Sequence, residues 1–215
     1  MRLSCRYGVR MTEHTLYARI RRADDTDRQE VSAVLTEAFM DDPVVCWLFP
    51  SPGERAGLQP LFYGDLLDRA EAYLVGDSEG ASLWLTVAAG KENPGTPAPD
   101  PAPVFGKNGP RLMALGQALA ERHPHDEPHL YLACMGVVGH RRGAGLGSAM
   151  LGHGLERADA DGLAAYLEAS SPRSRALYAR YGFEDLGEPV RVTDSPLLWP
   201  MWRNSANPTS TRRTR

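Results

Sequence analysis

Residues 135–147, MGVVGHRRGAGLG, sit where two patterns meet. Before and within this stretch, Leu130 to Val138 is a mostly apolar run of strand length. After it, Leu146, Met150, Leu151 and Leu155 recur at helical spacing, which places Gly143, Gly145 and Gly147 at a strand-to-helix junction. Glycines there let successive backbone N–H groups converge without side-chain interference, and the following helix adds the positive end of its dipole. These residues describe an anion site, with phosphate as the expected occupant.

Outward from this junction the chain alternates strands and helices. Leu16 to Arg21 reads as a strand, and Asp24 to Asp27 supply caps for a helix with Val31, Val34, Leu35 and Ala38 on one face. Asp41, Asp42 and Pro43 break that helix, and a second is expected from about Glu54 to Arg69. Ala72 to Val75 and Ser82 to Ala88 form an antiparallel hairpin around the turn signals of Gly76 to Gly80. Gly90 to Pro103 holds Pro94, Pro97, Pro99, Pro101 and Pro103, which cannot donate to a sheet ladder, so an extended surface loop is expected. A helix over Pro110 to Arg122 and an exposed loop HPHDEPH, residues 123–129, lead into the central strand. Beyond the glycines the pattern predicts helix 146–160, strand 164–168, helix 173–181, strand 183–187 and a last strand near Leu197 to Trp202.

The chain has 215 residues and is 42% hydrophobic, enough for one domain with a sizeable core. That domain is expected over residues 11–204, with 1–10 an N-terminal extension and 205–215 a polar, basic, disordered tail. The formal net charge is −3, and Arg2, Arg6, Arg10, Arg212, Arg213 and Arg215 lie in the two ends without any acid, so the part between them is more acidic still. Such a balance argues against nucleic acid and is compatible with a cationic amine ligand. Cys5, Cys46 and Cys134 are widely spaced and form no C-x-x-C pair, which suggests neither a disulfide framework nor a zinc site. With no apolar stretch of membrane-helix length and no secretion signal at the start, a cytoplasmic protein without membrane partners is expected.

Arg142-Gly143-Ala144-Gly145-Leu146-Gly147 matches the R/Q-x-x-G-x-G/A signature of the GNAT acyltransferase superfamily. Leu177 to Phe183, LYARYGF, resembles that family's later Y-x-x-x-G-F segment, and the two stand in the right order. A dinucleotide fold would need G-x-G-x-x-G in an N-terminal strand–helix unit, and a P-loop would need Gly-Lys-Ser/Thr at this turn; neither is present. The resemblance covers most of residues 15–203. From residue 127 onward the chain is also similar to puromycin N-acetyltransferase and related actinobacterial small-molecule acetyltransferases, through Glu127 to Gly147, YLEASSPR at 166–173 and the segment ending in Phe183. It implies a single-domain α/β GNAT fold whose mixed, mostly antiparallel sheet is flanked by helices. It further implies acetyl-CoA as donor, no metal, a small amine such as an aminonucleoside or amine antibiotic as acceptor, a role in antibiotic resistance, and a homodimer. Acetylation of peptide or protein amines, or a non-catalytic CoA-binding regulatory module, are the alternatives.

Residue by residue, the resemblance assigns the pyrophosphate to the backbone of Arg142, Gly143, Ala144, Gly145, Leu146, Gly147 and Ser148, with the side chains of Arg141 and Arg142 as added phosphate contacts. Met135, Gly136 and Val137 would pair with the pantetheine arm, an N–H near Val137 meeting the thioester oxygen; Gly136 suits close approach or equally a bulge. Tyr178 is the candidate acid for the departing thiolate, packing being its other role, while Tyr181 suits packing. Glu168 would accept the amine proton or anchor a cationic amine, or else be a solvated strand-end carboxylate. Ser174 stands where many GNAT members have asparagine, and can cap a helix or meet CoA. Asp41, Asp42 and Trp47 combine charge and aromatic surface for the acceptor, although Asp42 also suits a helix break and Trp47 a core. Cys134 reads as a buried strand residue, not an acyl carrier, so direct attack in a ternary complex is expected.

Overall fold

The computed structural model describes residues 19–90 and 100–207. The N-terminal extension, the start of the first strand, most of the proline-rich stretch and the end of the basic tail lie outside the described residues.

β1 (Ile20–Arg22) runs into a 3-10 turn at Asp25–Asp27 in which Asp24 and Asp27 cap each other's backbone reciprocally. Arg21 grips Asp27 at 2.6 and 2.8 Å and fixes the entry to α1 (Arg28–Phe39), whose buried stripe is Val31, Val34, Leu35 and Ala38, as the spacing predicts. The Asp-Asp-Pro break is in fact a restart. Asp42 is extended, its Oδ1 accepts from the N–H groups of Val44 and Val45, and Pro43 fills the first turn of α2 (Pro43–Leu48). α3 (Pro52–Leu67) follows, and its buried Arg55 donates to the carbonyls of Phe49, Met40 and Pro50, holding the corner between the first three helices.

β2 (Glu71–Val75) and β3 (Gly80–Val87) form the expected hairpin, antiparallel from Val75↔Gly80 to Glu71↔Trp84. The sequence reading of a loop through Pro103 needs correction, because Ala102–Phe105 is a short helix, α4, where proline in the first turn gives up no hydrogen bond. Then come α5 (Gly109–Ala120), β4 (His129–Val137), α6 (Leu146–Ala160), β5 (Ala164–Ala169), α7 (Pro172–Arg180), a two-residue β6 (Glu184–Asp185) and β7 (Trp199–Arg203).

The strands form one sheet in the order β1-β2-β3-β4-β5-β7-β6, in which only β4 and β5 run parallel. This is the mixed, mostly antiparallel α/β architecture expected of the fold. α1 and α3 cover one face through Val31, Leu35, Tyr63 and Leu66 against Leu74, Leu83 and Leu85. α6 and α7 cover the other through Leu151, Leu155 and Tyr178 against Trp84, Leu132 and Leu167. A third cluster gathers α2, α4 and α5 around Leu48, Phe49, Phe105 and Leu112. Among the described residues no helix is long and apolar enough to cross a membrane.

β4 and β5 pair from His129↔Ala164 to Leu132↔Leu167 and no further, although β4 continues to Val137. On its other edge β4 stays with β3, but with an irregularity: Leu83 faces Cys134 and Trp84 faces Leu132, leaving Ala133 as the extra residue of a bulge. The strand therefore bends where it leaves β5.

Trp84 is buried and lies across α6 where only glycine fits: a Cβ on Gly154 would stand 2.1 Å from Trp84 Cζ2. Gly154→Ala is expected to destabilise the protein by about 1–3 kcal/mol through overpacking, despite the better helix propensity of alanine. Gly57→Ala, in α3 with nothing within 4 Å of the added carbon, is expected to gain about 0.5–1 kcal/mol. Urea unfolding of the two variants checks both signs.

Candidate active site

The parting of β4 and β5 opens a cavity of about 740 Å³. Its lining comes from the end of α1, the α2 segment, α5, the unpaired part of β4, the glycine turn, the end of β5 and α7.

At the glycine turn Gly143 and Gly145 have φ of +88° and +84°, a region that side chains with a Cβ avoid. Gly145 is the N-cap of α6, and the first helical bond runs from Ala149 N–H to Gly145 O at 3.0 Å. Helix geometry thus leaves the N–H groups of Leu146, Gly147 and Ser148 without intrahelical acceptors, and all three residues line the cavity. Gly143 and Gly145 line it too, whereas Ala144 packs against the Val75, Leu146 and Met150 cluster. The side chains of Arg141 and Arg142, expected as added phosphate contacts, border the cavity and also have protein partners. Arg141 is ion-paired with Glu79 at 2.6 Å, and Arg142 donates to Ala38 O at 2.6 Å and Val137 O at 3.4 Å. Arg173 and Arg180 of α7 are further exposed cations at this rim, and the sequence reading gave Arg180 no role.

Met135, Gly136 and Val137 border the cavity along the edge of β4 that has no β5 partner. Gly136 is not the bulge; that falls at Ala133. A Cβ on Gly136 would come 2.6 Å from Ala38 Cβ and 3.0 Å from Phe39 Cε2, so the absent side chain lets the end of α1 lie directly on the strand.

Across the gap, Glu168 is not solvated: its side chain is 5% exposed. Tyr131 donates to its Oε2 at 2.8 Å, and Tyr166 turns its hydroxyl toward it without reaching hydrogen-bond geometry. Burial pushes the Glu168 carboxyl up to about 7, against the opposing hydrogen bonds. Tyr178 is buried and lines the cavity; desolvation raises its phenol above the ordinary range, so it is fully protonated at neutral pH. Tyr181 donates to Ser148 O at 3.1 Å and ties α7 to α6. Ser174 and Ser171 form a reciprocal cap at the start of α7, with Ser174 N–H bonded to Ser171 Oγ at 3.1 Å, and both also face the cavity.

On the acceptor side Asp41 and Asp42 line the cavity and Trp47 does not. Trp47 instead donates from its indole to Asp194 at 2.9 Å and lies under the Arg111 guanidinium, which fixes its ring outside the cavity. Asp42 has its Oδ1 in the α2 cap, and its Oδ2 accepts from the Ser170 hydroxyl at 2.7 Å; burial pushes its carboxyl upward. The remaining wall is apolar, with Phe39, Phe62, Leu112, Leu115 and Leu119.

The histidine segment is the largest departure from expectation. His125 is exposed, but His123 and His129 are buried to 2% and 0% exposure beneath Tyr131, Tyr166 and Trp202. Among the described residues no group of three or more His, Cys, Asp or Glu side chains is placed to hold a metal ion. Sequence reasoning missed Tyr131, and it favoured an exposed loop for His123 and His129 over a catalytic base or metal site, so their burial was missed too. The signal was alternation: Tyr131 follows His129 by two positions, and Glu168 follows Tyr166 by two, on strands paired in register.

The family model for the Acetyltransferase (GNAT) family matches residues 35–183. A crystal structure from Corynebacterium glutamicum, described as histone acetyltransferase HPA2 and related acetyltransferase, is 30% identical, with a TM-score of 0.67 over 89% of this chain and 98% of that one. Fold likeness without close sequence likeness extends to arylalkylamine N-acetyltransferase 2 of Aedes aegypti, at 13% identity and TM-score 0.61 over 87% and 99% of the two chains. The ribosomal-protein-S18-alanine N-acetyltransferase of Escherichia coli has 15% identity and TM-score 0.55 over 92% and 99%. With the family match spanning both the glycine turn and the segment that ends at Phe183, on a sheet that parts between β4 and β5, the chain belongs to the GNAT family of acetyltransferases.

Proposed function

We propose that this enzyme transfers the acetyl group of acetyl-CoA to the primary amine of a small molecule with an apolar or planar body, by direct attack in a ternary complex. The observation that carries the reading is the buried Glu168 carboxyl, pushed up to about 7, in the cavity that opens between β4 and β5.

The cavity fits an acetyl-CoA donor. The first-turn residues of α6, whose N–H groups have no intrahelical acceptor, line it, Gly143 leaves open space where a Cβ would be, and the edge of β4 from Met135 to Val137 is available to an extended arm. Arg173 and Arg180 take the phosphate role that the engaged side chains of Arg141 and Arg142 do not. An N–H near Val137 polarises the thioester oxygen. Glu168 accepts the amine proton, directly or across a water, and Tyr178 donates its proton to the leaving thiolate. Holding donor and acceptor together supplies much of the acceleration. The acceptor wall of Phe39, Phe62 and the α5 leucines favours a small apolar or planar amine, of which aminonucleosides and amine antibiotics are examples, over an extended peptide.

Glu168→Gln is expected to lower kcat about 10²–10⁴-fold, and Tyr178→Phe about 10²-fold, with little change in the KM for acetyl-CoA. Because the carboxylate is the competent form, kcat rises with pH through about 7 and levels off above it, a limb that Glu168→Gln removes. Gly145→Ala, forced into a positive φ, raises the KM for acetyl-CoA about tenfold through a displaced turn. Thiol release with arylalkylamines, aminonucleosides and short peptides reads all three. Preference for peptides would overturn the small-amine reading, and donor binding without release on any amine would leave a CoA-binding module.

A further inference from the structure

The carbonyl of Glu127 sets the protonation pattern of a buried chain that ends at Glu168. A carbonyl can only accept, so His129 Nδ1, 2.9 Å away, carries a hydrogen. A neutral imidazole has one N–H, which leaves His129 Nε2 as a lone pair. That atom is 3.1 Å from His123 Nε2, which therefore donates, and His123 Nδ1 is left bare. His123 Nδ1 lies 4.0 Å from Glu168 Oε1, and both atoms are buried without another hydrogen-bond partner. Two facing lone pairs repel, and a hydrogen on the carboxyl turns the same contact into an attraction.

We propose that His123 Nδ1 accepts a hydrogen bond from the carboxyl O–H that Glu168 forms when it takes the substrate amine's proton, which makes His123 a positioning residue for the catalytic base and His129 the lock on its tautomer. This rests on the amine-acetylation reading given above. As the amine nitrogen bonds to the thioester carbon, its N–H bond breaks with the electron pair kept on nitrogen, and the proton forms an O–H bond on the Glu168 carboxylate, where the bare Nδ1 of His123 favours Oε1. The C–S bond breaks, and the sulfur takes the Tyr178 proton. The proton held by Glu168 then replaces the one Tyr178 gave up, so a neutral amine is acetylated with no proton left over.

The surroundings keep this contact dry and oriented. The Tyr131 and Tyr166 rings stand 5.0 and 4.7 Å from the His123 ring, Trp202 stands 5.3 Å from His129, and Tyr131 occupies the other carboxyl oxygen of Glu168. The titratable groups facing the pair are His125, His129, Tyr131, Tyr166 and Cys134, with Asp42 farther along the cavity. Burial holds His123 down to about 3 and lowers His129, and it raises Tyr131, Tyr166 and Cys134, so these five stay uncharged while Glu168 titrates.

Nitrogen NMR of the histidine-labelled wild-type protein, without substrate, tests the pairing. Expected are His123 protonated at Nε2 only and His129 at Nδ1 only across the active pH range; a doubly protonated His123 at pH 7, or the opposite tautomer, would overturn the proposal. Losing a hydrogen-bond acceptor for the protonated carboxyl lowers its pKa, so His123→Phe moves the acidic limb of kcat down by about half a pH unit or more and lowers kcat about tenfold. His123→Asn, which returns an acceptor near the Nδ1 position, restores the limb. A limb that stays in place, or moves up as loss of an imidazolium partner would require, sinks the proposal. The wild-type tautomers are read even where a variant fails to fold. Tautomers as stated with no acetyl transfer to any amine would overturn the proposed reaction, and with it the hydrogen-bond-accepting role, while leaving the pairing standing.

Discussion

The site depends on a strand that abandons its neighbour. After Leu132 the β4 ladder with β5 stops, and five further residues of β4 run on with only β3 beside them. Unpaired backbone donors and acceptors inside a protein must find partners, so this edge demands either water or a ligand with strand-like amide groups. Two local facts hold the divergence. The bulge at Ala133 bends β4 on the β3 side, and Gly136 lets the end of α1 press on the strand past the bend. The glycine turn and the α6 terminus are then delivered to one end of the gap, with Glu168 and Tyr178 along its walls.

Two arginines around the cavity, Arg55 and Arg142, serve the backbone. Arg55 collects three carbonyls from the corner joining α1, α2 and α3, and Arg142 satisfies a carbonyl at the end of α1, where a cation is also favoured by the helix dipole. A buried carbonyl without a partner costs as much as a lost hydrogen bond, so these guanidiniums allow sharp changes of direction around the cavity. Asp42 does the same with amides, and its bond to Ser170 joins the α2 corner to the end of β5.

Much of this was legible from residue pattern. The helix predicted at 146–160 has those bounds because a positive-φ glycine opens it and Asp161-Gly162 close it. The β2–β3 hairpin followed from turn chemistry, and the turn ahead of α6 from Gly143 and Gly145, whose positive φ other residues rarely adopt. What escaped was set by contacts distant in sequence. Asp-Asp-Pro signals a break and a cap with the same letters, so α2 was hidden. HPHDEPH is polar by composition, and only the rings of Tyr131, Tyr166 and Trp202, from three strands, bury two of its histidines. Trp47 looked like an acceptor contact until Asp194, 147 positions away, claimed its indole.

The leading arginine of the glycine motif binds the last turn of α1 rather than pointing outward, and α1 ends beside Phe39 and Asp41 on the acceptor wall. One guanidinium thus fastens the glycine turn to the segment that carries Phe39 and Asp41. Under the proposed reaction, any tightening of the turn that this bond carries to α1 would link donor binding to amine binding. Such linkage is reciprocal: by whatever factor bound donor alters the grip on the amine, bound amine alters the grip on the donor.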